Sequence, residues 1–221
     1  MDVYTAVAGR RAVRAFTDTP VAPAVLERVL SAAARAPSGA NLQPWHGYLV
    51  TGTALDRVKA RTGARVAAGD PGDEPDYRMY PAELPPVYAR RRAAAAAQRY
   101  RALGIGRDDT AARTAHIAGN WDCFGAPAAL FCYVDRIMGP PQWADLGMYL
   151  QTVMLLLRAE GLHSCPQMAW SVYHGTVAAV VSPPPDSILF CGMAIGYEDR
   201  AVAGARVDRA PLAETLTVVD R

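Results

Sequence analysis

The sequence predicts a three-layer α+β fold in which helices pack around a mainly antiparallel sheet. Two observations predict it. Apolar residues recur at helical spacing in some segments, Val25, Leu26, Val29, Leu30 and Ala33 above all, while 45–51, 127–135 and 188–197 read as short strands between helices. The 221 residues are 51% apolar and 20% charged, enough for one sizeable core. A single domain over 1–221 is therefore expected, carrying an insertion at about 70–118.

Taken in order, residues 3–10 form a short helix with Arg10, Arg11 and Arg14 clustered at its end. Pro20 and Pro23 punctuate the chain, and Pro23 suits the first turn of a helix running to about Arg35. Pro37-Ser38-Gly39-Ala40-Asn41 cannot continue that helix and reads as a loop. Trp45 to Thr51 alternates as a strand does, and Thr53 to Ala67 is a second helix. From Asp70 to Tyr88 the composition turns to proline, acids and tyrosine, an excursion from the core. Helices follow from about Ala89 to Leu103 and from about Asp108, then a strand from Pro127 to Asp135. Gln142 to Glu160 is a long helix, with Gly161 placed to cap its C-terminus. A further helix over Ser171–Val181, a strand over Ile188–Tyr197 and a short last strand over Leu216–Val219 complete the prediction.

Charge and cysteine usage narrow the function. A formal net charge of +2 gives no global attraction to nucleic acid or an anionic membrane, so any functional positive charge is local. The opening MDVYTAVAGRRAVRAF lacks the apolar core of a secretory signal. No apolar stretch approaches the ~20 residues of a spanning helix. Cys123, Cys132, Cys165 and Cys191 are widely spaced without a C-x-x-C pair, which fits small buried side chains in a reducing, cytoplasmic compartment. The four histidines are dispersed, and no zinc site is expected.

Two segments carry candidate chemistry. Arg10 and Arg14 are four apart, so a helical turn puts both on one face, and guanidinium forks match phosphate oxygens. Alone, the cluster reads more simply as basic residues suited to a helix C-terminus. In Ala36-Pro37-Ser38-Gly39-Ala40-Asn41-Leu42-Gln43-Pro44-Trp45, small residues admit a ligand to the backbone while Ser38, Asn41 and Gln43 offer short-range hydrogen bonds. Alone, this is equally an ordinary helix-to-strand connection.

Together, R-R-A-V-R-A-F followed by A-P-S-G-A-N-L-Q-P-W resembles the opening of the nitroreductase family, FMN enzymes of α+β fold. Trp143 to Gly147, Glu160 to Gln167, Phe190 to Tyr197 and Arg206 to Leu212 extend the resemblance over nearly the whole chain. The tyrosine- and proline-rich insertion, with Asn120 to Pro127, looks most like the branch that includes nitrobenzoate reductases. The resemblance implies an intertwined homodimer that holds FMN between its subunits, with NAD(P)H as reducing co-substrate and a small aromatic acceptor. It places Arg10, Arg11 and Arg14 on the phosphate and ribityl end, joined at the phosphate by Arg206 and Arg209. Ala12 stands where many relatives have a serine, so a contact there runs through its backbone. Pro37, Ser38, Gly39 and Asn41 reach the partner's flavin; Asn120 faces the pyrimidine edge, and Asp145 lies nearby. Pro166, Gln167, Met168 and Ala169 pass beside the isoalloxazine, where many relatives have an acid and a glycine at the last two positions.

Hydride chemistry belongs to the flavin N5 in such enzymes, so no catalytic acid or base is nominated, and the missing G-x-G-x-x-G pattern does not count against nicotinamide use. The same family resemblance leaves room for an FMN-dependent dehydrogenase, dehalogenase or flavin/quinone reductase, and another class of reading is passive FMN storage. Arg90-Arg91-Arg92 reads as a solvated helix face or as part of a lid that draws in a carboxylate, and Tyr77, Tyr80 and Tyr88 line or pack that lid.

Overall fold

The computed structural model describes residues 1–202 and 204–220. Four antiparallel strands form one sheet in the order β1-β2-β4-β3: β1 His46–Thr51, β2 Ala128–Asp135, β3 His163–Gln167 and β4 Ser187–Gly196. The two central strands, β2 and β4, read as continuous apolar runs because helices cover both faces of the sheet. Leu130, Cys132 and Val134 of β2 point to one side with Met193 and Ile195 of β4. Ala129, Phe131 and Tyr133 point to the other side with Leu189 and Ala194. A register shift between Cys132 and Tyr133 lets β4 continue past a local irregularity.

One layer is built by α2 (Pro23–Ala33) and α6 (Pro140–Ala159), which meet the sheet through Leu26, Val29, Leu146, Leu150, Val153 and Leu157. The other is built by α3 (Gly52–Ala67) and α7 (His174–Val181), through Leu55, Val58 and Val177. The predicted three-layer α+β architecture is the one found. The first helix, α1 (Val3–Gly9), is capped by Asp2, whose carboxylate accepts the Thr5 N–H at 3.0 Å. Gly161 takes the left-handed conformation (φ 76°) that closes α6.

Between α3 and β2 the chain makes its long excursion, with α4 (Pro86–Ala102) and α5 (Thr110–Ala118) inside it. Its first residues are stapled down. Arg65 pairs with Asp70 at 2.7 Å and Asp73 at 2.9 Å, and Asp73 N–H donates to the Val172 carbonyl. Further along, Tyr77 OH donates to the Phe190 carbonyl at 2.6 Å, and Arg136 pairs with Asp76.

Four expectations are corrected. Helix α4 begins at Pro86 rather than Ala89, because proline needs no N–H partner in a first turn. The segment predicted as one helix over Ser171–Val181 is a 3₁₀ stretch, Met168–Tyr173, followed by α7; the 3₁₀ turns let Trp170 enter the core. His163–Gln167, left without an element by the sequence reading, is strand β3. Leu216–Val219 is no strand: Leu216, Val218 and Val219 lie exposed with no ladder partner among the described residues. Among the described residues, no helix is long and apolar enough to cross a membrane.

Candidate functional site

After α1 the chain turns extended at Arg10 and runs along the end of the sheet. Ala12 forms a parallel bridge with Ser164 of β3, Val13 N–H donates to the Ser164 carbonyl at 3.0 Å, and Phe16 N–H donates to the Phe124 carbonyl at 3.1 Å. Burial of Val13 and Phe16 fixes this course, and Arg10, Arg11 and Arg14 are left half-buried along it. The C-terminal element closes from the other side. Arg206 donates to the Ala8 carbonyl at 3.1 Å, and Arg209 to the carbonyls of Val207 and Asp208.

The result is a crowd of cations. Burial, then Arg209, lowers the pKa of Arg10; burial, then Arg206 and Arg158, lowers that of Arg11. Arg158 is depressed likewise, by burial and then by Arg200 and Arg206. Arginine stays charged under such shifts, so their meaning is mutual repulsion. The acid bonded into the cluster is Glu198, which accepts from the Arg11 guanidinium and stands 3.3 Å from His163 Nε2. Despite that carboxylate, burial and the charges of Arg158, Arg11 and Arg200 push His163 down to about 4, leaving a neutral ring whose Nδ1 is buried without a partner. Gly204 packs directly against the Arg11 guanidinium, so a side chain there would displace that group from its place beside Glu198.

The loop of small residues forms a second group. Gly39–Asn41 is a 3₁₀ turn in which Ala40 (φ 49°) and Asn41 (φ 58°) are left-handed, as is Gln43 (φ 48°) beyond it. Such non-glycine residues need surroundings that hold them. Asp145 on α6, only 4% exposed, accepts the Gly39 N–H with both oxygens at 3.2 Å. Ser38 Oγ accepts the Gln43 N–H at 2.9 Å, and the Gln43 side chain donates to the Asn41 carbonyl. Pro37, Gly39 and Asn41 remain exposed at the surface of the single chain. Asp145 thus anchors the loop.

The third group lies at the end of β3. The Gln167 side chain turns inward, donating to the Asn120 carbonyl at 2.7 Å and accepting from Trp170 Nε1 at 3.4 Å. The Asn120 amide folds back onto the Ile117 carbonyl, and Met168 is exposed. Hydrogen bonding therefore joins Gln167 to Asn120, Gly39 to Asp145, and Val13, next to Ala12, to β3, the strand that holds Pro166.

Sequence reasoning missed Glu198, Arg158 and His163, each of which takes meaning only from long-range neighbours. It also missed Gln98 and Arg99 on α4. Gln98 exchanges two hydrogen bonds with Asp208, tying the insertion to the element that carries Arg206 and Arg209. The one local signal was the density of arginine in that helix. Among the described residues, no three His, Cys, Asp or Glu side chains converge as a metal site.

Comparison with known proteins agrees along the whole length. The description "Nitroreductase family" belongs to a sequence model that matches residues 7–197. A nitrobenzene nitroreductase of Ectopseudomonas oleovorans is 34% identical over 196 residues, 87% of this chain and 85% of the relative. A 4-nitrobenzoate reductase of Pseudomonas putida is 34% identical over 90% of this chain and 86% of its own. The crystal structure of the FMN- and NADPH-dependent nitroreductase NfnB from Sphigopyxis sp. strain HMH has a TM-score of 0.96 at 45% identity, covering 100% of both chains. The FMN-dependent NfnB of Mycobacterium smegmatis, in complex with NADPH, has a TM-score of 0.92 at 33% identity, covering 98% of this chain and 97% of that one. With motif, fold and full-length similarity in agreement, the chain belongs to the nitroreductase family.

Proposed function

We propose that this protein is an FMN-dependent NAD(P)H oxidoreductase that reduces nitroaromatic compounds. The observation that carries the reading is the arginine crowd around Glu198. Arg10, Arg11, Arg158, Arg206 and Arg209 repel one another, and a phosphate dianion is the ligand that relieves the repulsion. The donor set fits FMN. Arg10, Arg206 and Arg209 would hold the phosphate; Arg11 is oriented by Glu198, and Ala12 offers backbone only. Arg14 would serve the ribityl and pyrimidine end, with Pro166, Gln167, Met168 and Ala169 beside the ring and Asn120 steadying Gln167. When bound, FMN supplies two-electron transfer between NAD(P)H and an acceptor. The chain's own part is to bind, orient and tune it.

What one chain leaves uncovered supports a homodimer. Tyr4 on α1 is 88% exposed, Met148 on α6 is 39% exposed, and Val218 and Val219 in the tail are about as open as Tyr4. A second copy covers these, and it brings the preformed Pro37–Asn41 loop to the neighbouring flavin. Four enclosed free thiols fit the cytoplasm.

The test is the purified protein itself. It should carry or take up FMN, bleach on anaerobic NADPH or NADH, and regain colour with nitrobenzene or nitrobenzoate. Replacing Arg10 or Arg206 by Gln should weaken FMN by roughly tenfold or more while leaving riboflavin almost unaffected, since each removes a charge-assisted phosphate bond. Colourless protein that takes up no FMN would overturn the reading.

A further inference from the structure

The insertion sends a cation into the hollow beside the arginine segment. Arg99, in the last turn of α4, lines it together with Arg14, and His116 of α5 closes one side. The Arg99 guanidinium lies 5.2 Å from the centre of the Tyr100 ring, and its Nε is buried without an acceptor. Among the described residues, neither Arg99 nor Arg14 has an ion-pair partner. Of the two acids that line the same hollow, Glu198 is held by Arg11 and His163, while Asp199 accepts the Ala201 N–H and pairs with neither Arg14 nor Arg99.

Arg99 and Arg14 act on one place. Both lower the pKa of His116, after burial as the larger cause, so its ring adds no charge to the hollow near neutral pH. Both also favour the thiolate of Cys165, although burial outweighs them and pushes that thiol up to about 11. Two like charges, each partly buried and one with an orphaned N–H, make a site suited to an anion.

We propose that Arg99 and Arg14 form a two-cation site for the negative charge of bound flavin, so that the insertion is part of the cofactor site. The inference rests on the FMN reading above. FMN carries negative charge at its phosphate in every state and on its ring when reduced, and the experiment separates these two sources.

Arg99→Met keeps the side-chain stem and its packing on Tyr100 while removing the charge; Arg99→Lys restores a charge. Each is titrated anaerobically with oxidised FMN, dithionite-reduced FMN and riboflavin in both states, with circular dichroism confirming the fold. R99M should bind FMN roughly tenfold more weakly in at least one redox state, and R99K should recover most of that loss. Equal loss in both states, absent with riboflavin, assigns the phosphate. Loss confined to the reduced state, and shared by riboflavin, assigns the ring; tenfold there lowers the midpoint potential by about 30 mV for a two-electron couple. If wild-type protein binds FMN and folded R99M binds it equally well in both states, the inference is wrong and the FMN reading survives. If wild-type protein takes up no FMN, the underlying reading fails.

Discussion

Gly192 offers a sharp test of how the core positions the site. It lies in β4 opposite Phe131 of β2 and Gln167 of β3. A Cβ placed there would sit 2.3 Å from Trp170 Cδ1, 3.0 Å from Cγ and 3.1 Å from Nε1. These atoms belong to the body of a rigid ring with no exposed surface, held edge-to-face on Phe131 at 5.3 Å and bonded to Gln167. The ring has nowhere to retreat, so Gly192→Ala should cost about 2–3 kcal/mol, the upper part of the overpacking range. For a chain of this size that corresponds to a melting temperature lower by roughly 4–12 °C. Differential scanning calorimetry measures it, and a second background identifies the cause. Trp170→Leu is itself destabilising but opens the space, so adding Gly192→Ala there should cost little or nothing, a coupling of roughly 1–3 kcal/mol. Equal losses in both backgrounds would refute the idea that the glycine exists for Trp170.

Three further outcomes are expected. Asp145→Ala removes the acceptor for Gly39 N–H beneath a loop whose left-handed residues hold about 1–3 kcal/mol of strain each, so FMN should bind roughly tenfold more weakly, with Asp145→Asn intermediate. Fluorescence titration checks this, and unchanged affinity would return the loop's conformation to its own internal bonds. His163 is held neutral when folded, down to about 4 against an ordinary 6.5, so the unfolded chain binds the extra proton between those values and stability falls as pH drops through that window. Denaturant unfolding of His163→Gln should show a flatter dependence there; an identical slope would contradict it. Arg65→Met unfastens Asp70, Asp73 and Thr176 together, so limited chymotrypsin digestion should open the chain near Tyr77 and Tyr80 faster than in wild type.

What could be read from the sequence was whatever local chemistry determines. Pro23 set the start of α2, Gly161 closed α6, and the apolar runs of β2 and β4 declared themselves as strands buried on both faces. Strand β3 did not, because His163-Ser164-Cys165-Pro166-Gln167 has neither alternation nor a continuous apolar run and is held by pairing with β4. The tail misled in the opposite sense: Leu216-Thr217-Val218-Val219 has strand composition, yet a strand is a relation between segments and this one pairs with none among the described residues. The site divides the same way. Arginines and a small-residue loop were visible as motifs, whereas the role of Asp145 depends on a contact 106 residues away and the pairing of Arg11 with Glu198 on one 187 residues away.

The four cysteines carry a consequence for an enzyme of this chemistry. Each is enclosed, and burial pushes Cys123 and Cys191 up to about 12, with Cys132 higher still. Partial reduction of nitroarenes yields electrophiles that seek thiolates, and the catalyst that releases them is the first protein they meet. Keeping all four thiols protonated and enclosed leaves no cysteine thiolate for such products to derivatise, which gives the protein a built-in tolerance of them at its cysteines.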